Sequence, residues 1–169
     1  MKETHTTASP QITITPEALL EHWQGHRRLT RRAIEAFPED KLFTYSVGGM
    51  RPFADLAIEM IGMAAPTLRG IVSGKWEGME DIAIYKKENK PATKAELLRY
   101  WDEGTAELNE LWPKIAPGRF LETDLAFGQW EGPVYWILFY CIDNEIHHRG
   151  QGYVYLRSLG IEPPPFWER

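Results

Sequence analysis

Apolar residues recur at helical spacing in four stretches of the chain, separated by segments rich in proline, glycine and polar residues. In the first, Leu19, Leu20, Trp23, Leu29, Ala33, Ile34 and Phe37 follow Thr15-Pro16-Glu17. Thr15 suits an N-cap, Pro16 the first helical position and Glu17 the positive end of the helix dipole. Pro38 closes this helix. The second opens at Arg51-Pro52-Phe53 and carries a nearly unbroken apolar run from Leu56 to Ala65; Pro66 is expected to kink or locally weaken it. The third follows a Thr93-x-x-Glu96 capping box, with Leu97, Leu98, Trp101, Ala106, Leu108 and Leu111 as its apolar set, and Pro113 and Pro117 end it. Gly132-Pro133 starts the last. The predicted helices span about 16–37, 52–74, 94–112 and 133–159.

The intervening segments read as connections. Ser46, Gly48 and Gly49 mark a loop over 38–51. Residues 75–90 are polar and mixed, which predicts a loop with at most a short helical turn, and 118–130 read as another connection. No stretch alternates in the manner of a strand. Residues 1–14 read as a flexible arm, and the three consecutive prolines in 161–169 predict an extended tail across the surface. The expectation is an all-α four-helix bundle forming a single domain over 1–169. The long link between its second and third helices permits a crossover.

With 169 residues, 43% of them hydrophobic, the chain can bury a core without staples. Its single cysteine, Cys141, rules out an internal disulfide framework and a multi-cysteine zinc site, and fits a reducing compartment. A net charge of -5 gives no basic field for nucleic acid. Arg27, Arg28, Arg31 and Arg32 crowd one stretch, but helical spacing spreads them, and they read as a solvated face with Glu21 and Glu35 as partners. Met1 to Gln11 lack the apolar segment of a signal peptide, and no run approaches the ~20 apolar residues of a membrane span. The expectation is a cytoplasmic protein that engages neither membrane nor nucleic acid.

The densest chemistry lies in the last helix. Asn144 and His148 sit about 40° apart on one helical face, which Gln151 and Tyr155 share and which Ile137 and Cys141 extend upstream. A face that turns from apolar to Asn, His, Gln and Tyr suits the wall of a polar pocket; the plainer reading is a buried structural network. His147 points about 100° away and pairs, on spacing, with Asp143. In the second helix Glu59 stands alone among apolar neighbours, so it is either on a narrow exposed stripe or buried with a partner. His22 and His26 have the spacing of a two-histidine metal face, but Arg27 and Arg28 follow at once, which favours pocket lining or a surface network. Cys141, mid-helix in apolar company, reads as core rather than nucleophile.

The run Asp143-Asn144-Glu145-Ile146-His147-His148-Arg149-Gly150-Gln151, followed by Val154-Tyr155-Leu156-Arg157-Ser158-Leu159-Gly160, resembles the last-helix signature of the DinB-like (damage-inducible, YfiT-like) family, written H-x-x-H-H-x-G-Q. The order of four helices resembles that family more loosely over nearly the whole chain. The resemblance implies a divalent metal held by one histidine of the second helix and two of the last. His148 matches the second of the last-helix pair; Asn144 stands in place of the first, and Glu59 in place of the second-helix histidine. A set of one hard carboxylate, one neutral amide and one imidazole is a weaker, more oxygen-rich site than three imidazoles.

The resemblance therefore implies a metal-dependent transferase or hydrolase acting on a small molecule such as a low-molecular-weight thiol, with Zn, Ni, Mn or Fe at Glu59, Asn144 and His148. Gln151 would orient the ligands and Tyr155 would donate a hydrogen bond to developing negative charge. Two alternatives stand beside it: a non-catalytic small-molecule binder with Glu59 hydrogen-bonded to Asn144 and His148 and no ion, and an interaction protein whose business is dimerisation. A homodimer is expected from the resemblance and from the seven tryptophans and the aromatic tail Phe166-Trp167.

Overall fold

The computed structural model describes residues 14–169, so most of the expected N-terminal arm lies outside the described residues. Helix α1 (Pro16–Ala36) is capped as its sequence requires, with Thr15 Oγ1 accepting from the Ala18 N–H at 3.1 Å. After a short turn of helix, α2 (Glu39–Leu42), the chain enters α3 (Phe53–Ser73), which runs through Pro66 and ends at Gly74 in the left-handed conformation, φ 69°. Helix α4 (Lys94–Leu111) begins on the expected capping box, where Glu96 N–H donates to Thr93 Oγ1 and the Glu96 carboxylate accepts from the Thr93 N–H. The last helix, α5, covers Val134–Ser158.

The four long helices form a ring in the order α1, α4, α3, α5. Helix α3 packs against α4 and α5, α1 packs against the same two, and α1 barely touches α3. The diagonal steps therefore fall on the links between α1 and α3 and between α4 and α5. The long link between α3 and α4 joins neighbours instead of crossing. That link is three single 3₁₀ turns (Met79–Asp81, Ala83–Tyr85, Lys87–Asn89), which drop Ile82 and Ile84 into the core.

One expectation is corrected here. The connection before α5 is not structureless: a 3₁₀ turn at Pro117–Leu121 leads into an antiparallel hairpin of β1 (Thr123–Ala126) and β2 (Trp130–Pro133), with Ala126 opposite Trp130. Four-residue strands are too short to show a periodic signal; Gly132-Pro133 starts the last helix as expected, with Pro133 at its N-cap, but also closes β2.

A second correction concerns α1. Arg28 and Arg31 are solvated and paired with Glu21 and Glu35 as expected, but Arg27 is only 1% exposed. Its guanidinium lies over the Trp101 ring, 3.6 Å from the centroid, and donates to Thr105 Oγ1 and the Trp101 carbonyl. Glu145 and Arg149 of α5 are buried beside it. Glu145 accepts from Thr30 Oγ1 at 2.7 Å and Trp23 Nε1 at 3.2 Å, with Arg27 at 3.8 Å and Arg149 at 4.0 Å. This ionic layer lies where the two apolar clusters meet: Trp23 belongs to one, and Trp101, under Arg27, to the other.

Helix α3 is long and apolar enough to cross a membrane, but 72% of that stretch is buried inside the bundle, as befits its core helix. The tail lies on α1, with Arg32 bridging to Glu168, while Phe166 and Trp167 remain exposed.

Candidate functional site

Helix α5 presents three faces, which is why it lacks a single apolar stripe. Tyr135, Trp136, Phe139, Tyr140 and Ile146 face outward. Glu145 and Arg149 face α1. The third face carries Asn144, His148, Gln151 and Tyr155, and against it α3 presents Glu59.

The structure brings Glu59, Asn144 and His148 together. Glu59 Oε1 lies 2.9 Å from His148 Nε2 and 3.0 Å from Asn144 Nδ2. Glu59 Oε2 accepts from Arg51 Nη2 at 2.6 Å. On the other side of the ring, His148 Nδ1 lies 2.7 Å from Gln151 Oε1. Both ring nitrogens thus face oxygens that only accept, so the arrangement calls for an N–H on each and an imidazolium form. The energetics agree. Burial alone would lower the His148 pKa, but the hydrogen bonds to Glu59 and Gln151 outweigh it and raise it above the ordinary histidine value. The hydrogen bond from His148, with those from Arg51 and Asn144, holds the Glu59 carboxyl at about 2 against the opposing effect of burial.

Other residues fall differently. The Tyr155 hydroxyl donates to the Arg51 carbonyl at 2.9 Å, so it fixes the residue that grips Glu59 and does not reach the Glu59–His148 contact itself. Asp143 and His147 are both exposed and form no ion pair with each other; the spacing allowed the pair, but nothing holds it. His26 is buried and taken up by neighbours: Arg149 Nη2 donates to its Nδ1 at 3.0 Å, and its Nε2 lies 3.2 Å from His22 Nε2 and 3.3 Å from Arg169 Nη1. Burial, then the charges of Arg149, His22 and Arg169, lowers the His26 pKa to about 3, so the His26 ring is neutral. Cys141 is buried against Thr67 Oγ1 at 3.4 Å, and burial pushes its thiol up to about 12.

Beside the cluster lies a cavity of about 560 Å³, within the range of small-molecule sites. Of the cluster, Glu59 and Arg51 reach its wall. The rest of the lining comes from α3, α5 and the hairpin. Sequence reasoning missed Arg51, the hairpin and the buried Glu145–Arg149 pair. Arg51 precedes its helix, outside any periodic pattern. The aromatic pair Trp136 and Tyr140, at i and i+4, was the one available signal for the cavity mouth.

The model of the DinB family matches residues 5–169. The chain belongs to the DinB family. Two solved structures share the fold: a DinB-like protein from Bacillus cereus ATCC 10987 (TM-score 0.67, 18% identity, covering 88% of this chain and 95% of that one) and a DinB-like protein, YjoA, from Bacillus subtilis (TM-score 0.67, 17% identity, 89% and 98%). No curated protein matches.

DinB proteins are generally metal-binding. Among the described residues of this member, no three His, Cys, Asp or Glu side chains converge, because the third position is an amide. The residues present nevertheless fit an ion. Asn144 Oδ1 is buried with no hydrogen-bond partner among the described residues, an orphaned oxygen beside the Glu59 carboxylate. Glu59 Oε1 and His148 Nε2, 2.9 Å apart, match the roughly 3 Å between adjacent ligands on an ion with bonds of ~2.1 Å, whereas the Asn144 contact at 3.0 Å runs through its amide nitrogen, so its oxygen joins the set only with the amide turned over. The Gln151 oxygen on Nδ1 is the outer partner a metal-bound histidine requires, leaving Nε2 for the ion.

Proposed function

We propose that this DinB protein is a divalent-metal-dependent transferase or hydrolase acting on a small molecule such as a low-molecular-weight thiol, with Glu59, Asn144 and His148 as ligands for Zn, Ni, Mn or Fe. The observation that carries the reading is the convergence of these three side chains next to a cavity of small-molecule size. When bound, the ion supplies Lewis acidity, the means of making a nucleophile near neutral pH. The chain's own residues supply the rest. Gln151 fixes the ring plane and protonation of His148 through Nδ1. Arg51 holds Glu59 in place and puts a positive charge on the cavity wall. Without an ion, the proton on His148 Nε2 occupies the same line toward Glu59.

A second reading, a small-molecule binder without an ion, is favoured by one observation: Arg51 already neutralises Glu59 at 2.6 Å. Elemental analysis of protein purified without a metal-affinity column separates the two. About one equivalent of a transition metal, lost in Glu59→Gln, supports the first. No retained ion, and no uptake when each of the four metals is supplied, supports the second.

We further propose a cytoplasmic homodimer, the exposed aromatic tail Phe166-Trp167 providing apolar surface. Light scattering at micromolar concentration tests this, and a monomer alone contradicts it.

A further inference from the structure

The cavity beside Glu59 is lined along α3 by every fourth residue: Asp55, Glu59, Met63 and Thr67, with Arg51 one step before them. Twelve residues of helix make this stripe about 18 Å long. Its character changes along that length. Charge is confined to the end where α3 begins, where Arg51 pairs with Glu59 and Lys90 Nζ lies 2.8 Å from Asp55. Beyond Glu59 the walls carry no charge: Met63, Thr67 and Cys141 face aromatic rings.

Donors are in excess at the charged end. A guanidinium has five N–H groups and an ammonium three. Among the described residues, the Arg51 side chain makes its one polar contact with Glu59, and Lys90 makes its one with Asp55. Both cations are half exposed, with donors to spare. Glu59, by contrast, already accepts from His148, Asn144 and Arg51. A ligand group that accepts hydrogen bonds and carries negative charge completes this set, whereas an organic cation would bring a third positive charge beside Arg51 and Lys90.

The other end is built from rings. Trp130 of the hairpin and Trp136 and Tyr140 of α5 come from two elements to one cavity, and each is about half exposed. Phe127 backs Trp130, with ring centroids 6.1 Å apart. Phe127 is itself held in a costly conformation. The hairpin turn is closed by the Gln129 N–H on the Ala126 carbonyl at 3.0 Å, and its two central residues, Phe127 and Gly128, have φ of 54° and 70°. Such a turn favours Asn or Asp followed by Gly, and a bulky side chain at positive φ is strained. An Asn there would relieve the backbone but leave the cavity wall without its ring.

We propose that this cavity binds a flat aromatic acid, its ring system against Trp130, Trp136 and Tyr140 and its anionic group on Arg51 and Lys90. The proposal shares with the proposed function the premise that the cavity receives a small molecule, but it does not need the ion.

The test uses the full chain in EDTA with three probes of one ring system: 2-naphthoate, neutral 2-naphthylmethanol and cationic 2-naphthyl-trimethylammonium. Affinities are read by quenching of tryptophan fluorescence and checked by calorimetry. The acid is expected to bind at least about tenfold tighter than the alcohol. Lys90→Met should weaken the acid about tenfold and leave the alcohol unchanged, and Lys114→Met, just past the end of α4 and outside the cavity lining, should change neither. Trp136→Ala should weaken both. Lys90, Lys114 and Trp136 are all substantially exposed, so these variants keep the fold. Equal binding of acid and alcohol, tighter binding of the cation, indifference to Lys90→Met or Trp136→Ala, or no binding of any probe at millimolar concentration would each overturn the proposal. Because the ion is absent throughout, such a failure leaves the metal reading to its own measurement.

Discussion

Replacing Glu145 should cost this fold more than replacing any surface carboxylate. The side chain is 2% exposed and faces two buried guanidiniums, Arg27 and Arg149, at 3.8 and 4.0 Å. Burial pushes the Glu145 carboxyl up and lowers Arg27 to about 10, so each charge is held in place chiefly by the others. Glu145→Gln preserves shape but keeps one oxygen, an acceptor for Thr30 or Trp23 and not both, and leaves two buried cations without a counter-charge. Breaking a buried pair from one side costs about 3–5 kcal/mol. For a domain of this size that is a fall in Tm of about 6–20 °C. Urea unfolding followed by circular dichroism reads the same loss as a lower midpoint at unchanged slope. The combined change Arg27→Met, Glu145→Leu, Arg149→Met should recover most of it, since no charge is then stranded. A loss below about 1 kcal/mol for Glu145→Gln would refute the view that this layer is electrostatically interlocked.

Further expectations concern the site and its surroundings. In EDTA, Glu59→Gln should lower the His148 pKa measured by NMR, since Glu59 supplies the largest effect raising it. The depressed pKa of Glu59 means its contribution to stability is present above its ordinary value of 4.5 and is lost as pH falls toward about 2. The raised pKa of His148 means its contribution is full below 6.5 and fades as pH rises through the elevated value. Wild type should therefore lose stability between pH 4.5 and 2 more steeply than Glu59→Gln, and parallel acid-unfolding curves would contradict this. Gly152→Ala should destabilise by about 1–3 kcal/mol in urea, because its Cβ would lie 2.3 Å from the Phe53 ring, itself stacked on Phe37. Cys141 should resist a thiol reagent in the native state at pH 8 and react once unfolded, with its thiol held near 12; rapid native labelling would contradict the burial.

Much of this architecture could be read along the chain. Thr15-Pro16 and Thr93-x-x-Glu96 fix where α1 and α4 begin because local hydrogen bonds decide helix starts. The apolar spacing that follows them is strong enough to mark the four long helices. Glu59 and the Asn144–His148 face were visible because a polar side chain in apolar company needs a reason. What stayed hidden depends on tertiary contact. Arg27 looks like its neighbours Arg28 and Arg31 until Trp101 and Glu145 are brought against it. The hairpin needed its ring packing to be recognised, since Phe127-Gly128 is not a turn pair that propensity selects. Arg51 and Tyr155 touch through a carbonyl more than a hundred residues away in sequence, which no local pattern records.

The most direct test of the account is calorimetric titration of the EDTA-stripped, dialysed protein with a divalent transition metal at neutral pH, using the wild type, His148→Ala and His147→Ala. The account predicts one ion per chain in the wild type, its loss in His148→Ala, which removes the imidazole facing Glu59, and near-wild-type binding in His147→Ala, whose ring points to solvent. Equal loss in both variants, or binding that survives His148→Ala, would contradict the placement of the ion between Glu59, Asn144 and His148.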